Sequence, residues 1–403
     1  MTVRTSNLKQ TEPKRTSRRL PKVDSLDEAQ IGRFDSRVRR ELRRLVRLSP
    51  RFADLAQTFP AVVHVIAARQ RPPAQHEAAL ELVLAGAQLK AVARALDVPW
   101  WLRRLPPELF EGPLPDLPAG ETFARRIASR IPEAGAHGAF WLEAVAFGAH
   151  AAHDEFAIWL AQQRLHAEHG EAERLFALLA AYAWHSGAAE TEAASLIAVP
   201  WRPELSFDTA LCAAKSWFNR LRLVIQLESG ILPDPWLEPG EVMGLSFVPL
   251  TEYSAILDEA RAMQNCADQY ADRLSRDRCR LFSVRRGTTR VATLEIGPHP
   301  REAGVLSITQ LKARHNMPAS LEVWQAAHAW LGQQQGLKRL PPMLAPERAL
   351  NTARWRHLLA AYRSAKGGAK WLPETITHRA LARLELDMSD LARRADVTSW
   401  LFT

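Results

Sequence analysis

The sequence contains few cysteines, and their positions match no common cysteine motif. Only three of its 403 residues are cysteine, at positions 212, 266 and 279, and no C-x-x-C pair occurs. An odd number of cysteines without such a pair predicts neither a disulfide framework nor a zinc ribbon. We therefore expect reduced thiols.

Long apolar runs are also missing. No stretch approaches the roughly 18 consecutive apolar residues of a membrane helix. The N-terminus, Met1-Thr2-Val3-Arg4, does not open the apolar segment of a secretory signal. These absences predict a cytoplasmic protein with no membrane partner.

Common catalytic and metal-binding motifs are absent as well. The sequence has no P-loop, no G-x-G-x-x-G and no G-x-S-x-G. Two histidine pairs, His150/His153 and His166/His169, have the i, i+3 spacing that can bind a metal on one helix face. Because the H-E-x-x-H order is missing, we interpret them as ordinary helix-surface histidines. The sequence thus predicts no metal and no cofactor.

The net charge of +9 is concentrated near the N-terminus. Residues 1–50 contain 14 Lys or Arg and 6 Asp or Glu, for a net +8, so the remaining 353 residues carry +1 (9 minus 8). Residues 1–23 are polar and basic, which predicts a disordered arm. Such an arm can contact nucleic-acid phosphates, or it can serve as a solubilising tail.

Proline-rich stretches and a change of periodicity divide the rest of the chain. We predict an N-terminal helical region over 24–119, a tryptophan-bearing helical bundle over 120–240, an α+β domain over 241–337 and C-terminal helices over 338–403. Most bundle helices carry one large ring, at Trp141, Trp159, Trp184 or Trp217. An α-solenoid is the weaker alternative because no fixed repeat period occurs.

The region after residue 240 supplies the β part of the predicted fold. We expect a helix over Ser254–Leu274, then strands over Arg280–Arg285, Arg290–Ile296 and Val305–Gln310. Ser320 is predicted to cap a helix that runs to about Gln335. The fold class is therefore mainly α with a small α+β domain: an N-terminal helical bundle, then a C-terminal helix and a short antiparallel β-meander packed with helices.

Several short blocks in this region occur together in one order. They are Pro249-Leu250, Leu257-Asp258-Glu259, Met263-Gln264-Asn265-Cys266, Tyr270, Leu281 to Arg285, Ala292 to Glu295, Gln310 to Asn316, and Pro318. Over about 250–335 the chain resembles the PcfJ-like domain of conjugative plasmids and other bacterial mobile elements. It departs from the family pattern at Ala267 and His315. The resemblance implies a role in DNA transfer or mobile-element biology, with other mobile-element proteins as partners, and implies no particular activity.

Cys266 is the strongest candidate for a catalytic residue. A thiolate nucleophile needs a lowered pKa, and His315 or Arg314 can provide it if their loop folds back over the helix. Asn265 and Gln310 can then donate hydrogen bonds to a developing oxyanion. The alternative is that Cys266 is a small buried residue beside the apolar stripe of the helix.

Polar recognition groups follow on the loop after the third predicted strand. Gln310, Arg314 and Asn316 can bind bases or phosphates, and Tyr270 joins them as a binding candidate. The alternative is that these side chains fix the backbone of their own loop.

An arginine-rich segment is the second binding candidate. Between 273 and 290 seven arginines accompany one acid, Asp277, for a local net charge of +6. On the predicted hairpin we expect Arg280, Arg285, Arg286 and Arg290 to form a basic β surface for a nucleic-acid backbone. The alternative is an ordinary solvated surface.

Three functional hypotheses follow from these patterns. The first is a nucleic-acid-associated accessory protein of a mobile element that binds DNA through basic residues. The second is an enzyme of unknown reaction with a pocket around Cys266, Gln310 and His315. The third is a helical scaffold for protein interactions.

Overall fold

α-Helices make up most of the structure, and one antiparallel sheet is inserted among them. The computed structural model describes residues 28–131, 138–163, 171–188, 190–227, 234–335, 337 and 350–394. The predicted basic arm over 1–23 lies outside the described residues, as do His166 and His169. The predicted fold class, mainly α with a small α+β part, is confirmed. The chain divides into two compact units, Met1–Leu114 and Pro115–Thr403.

The first unit is helical throughout its described part. Its α-helices are α1 (Glu28–Gly32), α2 (Ser36–Leu48), α3 (Arg51–Thr58), α4 (Pro60–Ala67), α5 (Pro73–Leu84) and α6 (Leu89–Ala95), followed by 3₁₀ helices over Trp100–Arg104 and Pro107–Leu109. Every residue of α4 is buried, because its sequence is almost entirely apolar on all sides. α3 and α4 are divided at Phe59, since Pro60 has no N–H to continue α3.

Helix α2 is strongly amphipathic. Asp35 caps its first turn by accepting a hydrogen bond from the backbone N–H of Arg37 at 2.9 Å. Val38, Leu42 and Leu45 are buried on one side. The arginines of the helix occupy the other positions, so the helix is held by its apolar face and presents its charges to solvent.

The second unit combines a helical bundle with the sheet. Its elements in chain order are α7 (Glu121–Ile127), α8 (Gly138–Ala151), α9 (Asp154–Ala161), α10 (Ala172–Leu175), α11 (Ala177–Gly187), α12 (Glu192–Ser195), α13 (Phe207–Gln226), β1 (Gly240–Val242), β2 (Leu245–Pro249), α14 (Tyr253–Met263), α15 (Ala271–Ser275), β3 (Arg280–Arg286), β4 (Thr289–Pro298), β5 (Leu306–Lys312), α16 (Leu321–Gly332), α17 (Thr352–Leu358), α18 (Ala360–Ala365) and α19 (His378–Arg394). In the part of the chain that the structure describes, none of the helices combines the length and apolar character needed to cross a membrane.

Tryptophans fill the bundle core as the sequence predicts. Trp159 and Trp217 are almost completely buried. Their indole N–H groups donate to the carbonyls of Leu205 and Ala193, each at 2.8 Å, so neither of these two rings leaves an unpaired donor. The C-terminal helices α17–α19 contribute Trp355 and other side chains to this same core.

The sheet has five antiparallel strands in the order β1-β2-β3-β4-β5. The three predicted strands correspond to β3, β4 and β5, whereas β1 and β2 were not predicted. β3 and β4 are joined through Gly287, whose φ of +58° is the conformation that a two-residue hairpin connection requires. One face of the sheet packs on α16, where Trp330 stacks on Phe247 at 4.7 Å between ring centroids. Ser320 caps α16 as predicted, accepting from the N–H of Val323.

The helix predicted over Ser254–Leu274 is broken, and that prediction is wrong. α14 ends at Met263, and Gln264 adopts a left-handed conformation with φ 48° and ψ 50°. A 3₁₀ turn over Ala267–Gln269 and the short α15 follow. The side chain of Asn265 accepts a hydrogen bond from the N–H of Ala267 at 3.1 Å, which replaces a helical backbone bond. The break lies against the sheet face opposite α16.

Candidate functional site

Strands β4 and β5 present a polar group of side chains toward the helix break. Thr293 and Glu295 alternate with apolar residues along β4, and they pair in register with Lys312 and Gln310 of β5. Because alternate residues of a strand point to the same face, these four side chains share one side of the sheet. Leu294, between them, lies in the core on the α16 side.

Tyr270 connects the segment after the break to this polar face. Its hydroxyl lies 2.9 Å from Glu295 Oε2 and 3.1 Å from Gln310 Oε1. A phenol has one proton, so the hydroxyl donates to Glu295 and accepts from Gln310 when the amide N–H₂ is turned toward it. Arg273 forms an ion pair with the other oxygen of Glu295. Burial and the adjacent Glu295 carboxylate raise the pKa of Tyr270 far above its usual range, so the phenol stays protonated.

A second hydrogen-bonded chain fixes the break itself. Asn265 Nδ2 donates to Thr293 Oγ1 at 2.8 Å, and Thr293 donates to Glu259 Oε1, also at 2.8 Å. Glu259 is fully buried on α14, and its other oxygen accepts from Arg290 Nε at 2.9 Å. The buried carboxylate is therefore both paired and hydrogen-bonded, as burial of a charge requires.

Cys266 lies between these two networks and is half-buried. Its thiol donates to Asn316 Oδ1 at 3.7 Å. Burial, with smaller contributions from the Asp268 and Glu295 carboxylates, raises the pKa of Cys266. His315 and Arg314 are exposed, and no hydrogen bond among the described residues connects either one to Cys266. The expected activation of this thiol by His315 or Arg314 is thus not formed.

Two cavities meet at Cys266. A niche of about 20 Å³, room for one water molecule, is lined by Asn265, Cys266, Tyr270, Glu295 and Gln310 among others. On the outer side, a groove of about 370 Å³ shares Asn265, Cys266 and Asn316 with the niche. The structure therefore brings together five of the residues singled out from the sequence: Asn265, Cys266, Tyr270, Gln310 and Asn316.

The arginines between 273 and 290 do not form the expected basic β surface. Arg280 is only 2% exposed and stacks on Trp236, with its guanidinium carbon 4.3 Å from the ring centroid, so its expected exposure is wrong. Arg285 donates to Ser283 Oγ at 3.0 Å. Four of the seven arginines form ion pairs; they join Arg273 to Glu295, Arg280 to Asp277, Arg286 to Glu322, and Arg290 to Glu259. Three of these four acids lie outside the arginine-rich segment, which is why the local charge count was misleading.

His150 and His153 are the histidine pair that lies within the described residues, and both side chains have structural roles. His153 caps α9 by accepting from the N–H of Phe156 at 3.2 Å, and His150 packs edge-on against Trp371. No group of three or more His, Cys, Asp or Glu within the described ranges is arranged to hold a metal ion.

Sequence reasoning missed Arg273, Glu259, Thr293 and Glu295 as members of the site. One signal was present: Thr293 and Glu295 occupy alternate positions between the apolar residues Ala292, Leu294 and Ile296. That alternation places two polar side chains on one strand face. Only the fold shows that this face is covered by a helix rather than by water.

Comparison of the chain with family models, with curated proteins and with solved structures finds no match. The resemblance of residues 250–335 to the PcfJ-like domain stays a prediction.

Proposed function

We propose that this chain is a nucleic-acid-associated accessory protein that binds DNA through the arginine surface of α2. The observation that carries the proposal is the distribution of charge between the two units. Residues 1–114 contain 21 Lys or Arg and 12 Asp or Glu, for +9, whereas residues 115–403 contain 32 of each, for a net charge of zero. A phosphate-binding surface is therefore better supported in the first unit than in the sheet region.

Within the first unit the charge is ordered along α2. The helix contains six arginines and one glutamate, for +5 over 13 residues. Arg37, Arg40, Arg44 and Arg47 are all exposed. At 100° per residue these four positions fall within about 80° of the helix circumference and extend over about 15 Å. We call these four residues the α2 arginine stripe.

The arginines of the stripe keep most of their hydrogen-bonding capacity for a ligand. Arg37 pairs with Asp35 and Arg44 with Glu41, and both guanidinium groups remain more than half exposed. Arg47 interacts electrostatically with Glu28, whose ion pair is with Arg43, and among the described residues no carboxylate forms an ion pair with Arg40 or Arg47. Guanidinium groups have five donors each and match phosphate geometry, so exposed arginines can contact phosphate while keeping one internal bond.

The resemblance to the PcfJ-like domain supports the second part of the proposal, an association with a conjugative plasmid or another bacterial mobile element. Its support comes from the ordered blocks between 250 and 335 and is independent of the charge argument. On this proposal, DNA and other mobile-element proteins are the partners.

The test is DNA binding by the full chain across a salt series. Replacing all four stripe arginines by glutamine is expected to weaken binding of any DNA sequence. It should also reduce the slope of log K against log salt by about 0.9 for each phosphate that the variant no longer neutralises. A control variant removes the same charge from the second unit by changing the exposed residues Arg278, Arg286, Arg301 and Arg314 to glutamine.

The control variant should keep the wild-type salt slope. Equal losses in the two variants would mean that binding follows net charge and not the α2 arginine stripe. Absence of DNA binding by the wild-type chain at low salt would overturn the proposal.

A further inference from the structure

The groove at the break after α14 differs in chemistry from the α2 arginine stripe. Its volume of about 370 Å³ falls in the range of small-molecule sites. Four amide side chains line it: Gln264, Asn265, Gln269 and Asn316. Such a concentration of amides around one groove needs an explanation, because the fold uses only part of their hydrogen-bonding capacity.

The two charges inside the groove cancel each other. Arg220 pairs with Asp268 through Nε and Oδ2 at 2.8 Å, and both side chains are nearly buried. Arg220 also donates to the carbonyl of Leu196. These two groups therefore offer the groove no net charge, and its interior suits a neutral ligand with hydrogen-bonding groups rather than an isolated anion or cation.

The amides retain donors and acceptors for such a ligand. The side-chain carbonyl of Asn265 accepts from the N–H of Ala267, and one of its two amide N–H groups donates to Thr293. Its second N–H remains available to a ligand. Asn316 accepts from Cys266 and keeps its NH₂ group. No described residue bonds to the exposed amides of Gln264 and Gln269. Together they offer donors and acceptors side by side.

The backbone holds two of these amides in an unusual conformation. Gln264 has φ 48° and Asn316 has φ 57°, in the left-handed region that disfavours residues with a Cβ. Glycine would meet the backbone requirement at either position at lower cost. Glycine can therefore replace either amide without a change of backbone conformation, so the two side chains can be removed by themselves.

We infer that this groove binds a nucleobase of the adenine type through its amides. Asparagine and glutamine pair with adenine in a bidentate manner, because an amide supplies one donor and one acceptor to the adjacent acceptor and donor of the base. Arg261 lines the rim of the same groove; it forms an exposed ion pair with Asp258 and keeps 69% of its side chain exposed, so its guanidinium can contact an attached phosphate. The base can belong to a free nucleotide or to an unpaired position of a nucleic acid. The inference does not depend on DNA binding by the α2 arginine stripe.

The test uses calorimetric titration of the full chain with AMP, GMP, CMP and UMP. AMP is expected to bind at least about tenfold more tightly than CMP or UMP, a difference of about 1.4 kcal/mol. The double variant Gln264→Gly, Asn316→Gly removes two amides and keeps the left-handed backbone. It should lower AMP affinity at least about tenfold.

The matched control is His315→Gly. His315 also has a positive φ, of 59°, but it is not among the residues that line the groove. This change affects the loop backbone in the same way and should leave AMP affinity within about twofold of wild type. If the double variant proves unfolded by circular dichroism, Gln269→Ala replaces it, because Gln269 is exposed and its side chain makes no bond within the described structure.

Two hairpin duplexes distinguish the sources of the base, one fully paired and one with a single unpaired adenine. Tighter binding of the unpaired adenine, abolished in the double variant but not in the four-arginine variant of α2, supports a base within a nucleic acid. AMP binding without that preference supports a free nucleotide. The inference is overturned if neither AMP nor the unpaired adenine binds with preference, or if the double variant binds them as wild type does.

Discussion

Tyr270 and Glu295 are joined by a 2.9 Å hydrogen bond that ties the segment after the α14 break to the middle of β4. Tyr270→Phe removes this bond and leaves Glu295, which is 2% exposed, with Arg273 as its charged partner. We expect a loss of about 1–2 kcal/mol in the free energy of unfolding, measured by urea titration. Tyr253→Phe is the control, since Tyr253 has no hydrogen bond within the described structure, and it should change stability by less than about 0.5 kcal/mol. Equal losses would assign the effect to something other than the Tyr270–Glu295 bond.

Glu259→Ala should be far more destabilising than the change of its neighbour Asp258→Ala. Glu259 is fully buried and accepts from both Thr293 and Arg290, so its removal leaves both donors without their acceptor. The expected loss is about 3–5 kcal/mol in chemical denaturation. The ion pair of Asp258 with Arg261 is well exposed and should contribute no more than about 1 kcal/mol. Similar losses at the two positions would contradict the central role of the buried carboxylate.

Acid should destabilise the bundle through His185. This side chain is fully buried, and burial lowers its pKa from 6.5 to about 4. Below pH 6.5 the unfolded chain gains a proton that the folded chain takes up only near pH 4, so folding stability falls as pH drops through this window. The full loss is on the order of 3 kcal/mol. Urea midpoints measured from pH 7 to pH 4 should show a shallower decline for His185→Asn than for wild type.

The matched control for this pH experiment is His315→Asn, because His315 is exposed. Its decline with pH should parallel that of wild type. A wild-type decline that persists unchanged in His185→Asn would assign the acid sensitivity to other groups.

Cys266 should behave as a slow thiol. Burial raises its pKa, so at neutral pH a smaller fraction is thiolate than in an unstructured peptide. Alkylation by iodoacetamide, followed by mass spectrometry of the cysteine peptides, should therefore proceed more slowly at Cys266 than at a peptide cysteine. His315→Ala should leave the rate unchanged. Fast alkylation that depends on His315 would instead favour the enzyme hypothesis.

The sequence predicted regular elements well where local signals and tertiary packing agree. β3, β4 and β5 have strong β-forming residues and a glycine at the turn, and Ser320 precedes an apolar helix. It failed at Gln264, because an apolar stripe continues through Met263, Ala267 and Leu274 with helical spacing. At the break Asn265 bonds to Thr293, 28 residues away in sequence, and local periodicity carries no information on such a contact. β1 and β2 were not predicted, because the prolines and glycines that surround them interrupt the pattern of a strand.

The candidate site was partly predictable for the same reason. Asn265, Cys266, Tyr270, Gln310 and Asn316 stood out by residue type, and the fold places them together. The arginine surface was misjudged because its partners Glu259, Glu295 and Glu322 come from other elements. A charge count along the chain includes only residues that are close in sequence, whereas ion pairs form between residues that are close in space.

The order of the strands also bears on how the protein behaves at high concentration. In the described sheet β1 and β5 are the outer strands, and the outer side of β5 is partly covered because the N–H of Leu306 donates to the carbonyl of Leu337 at 2.8 Å. β1 is only three residues long, while β5 carries exposed Thr309 and Gln310 and ends where Lys312 bridges to Pro318. Edge strands that are short or carry polar side chains pair poorly with a strand from another copy of the chain. The sheet is thus built to resist edge-to-edge aggregation.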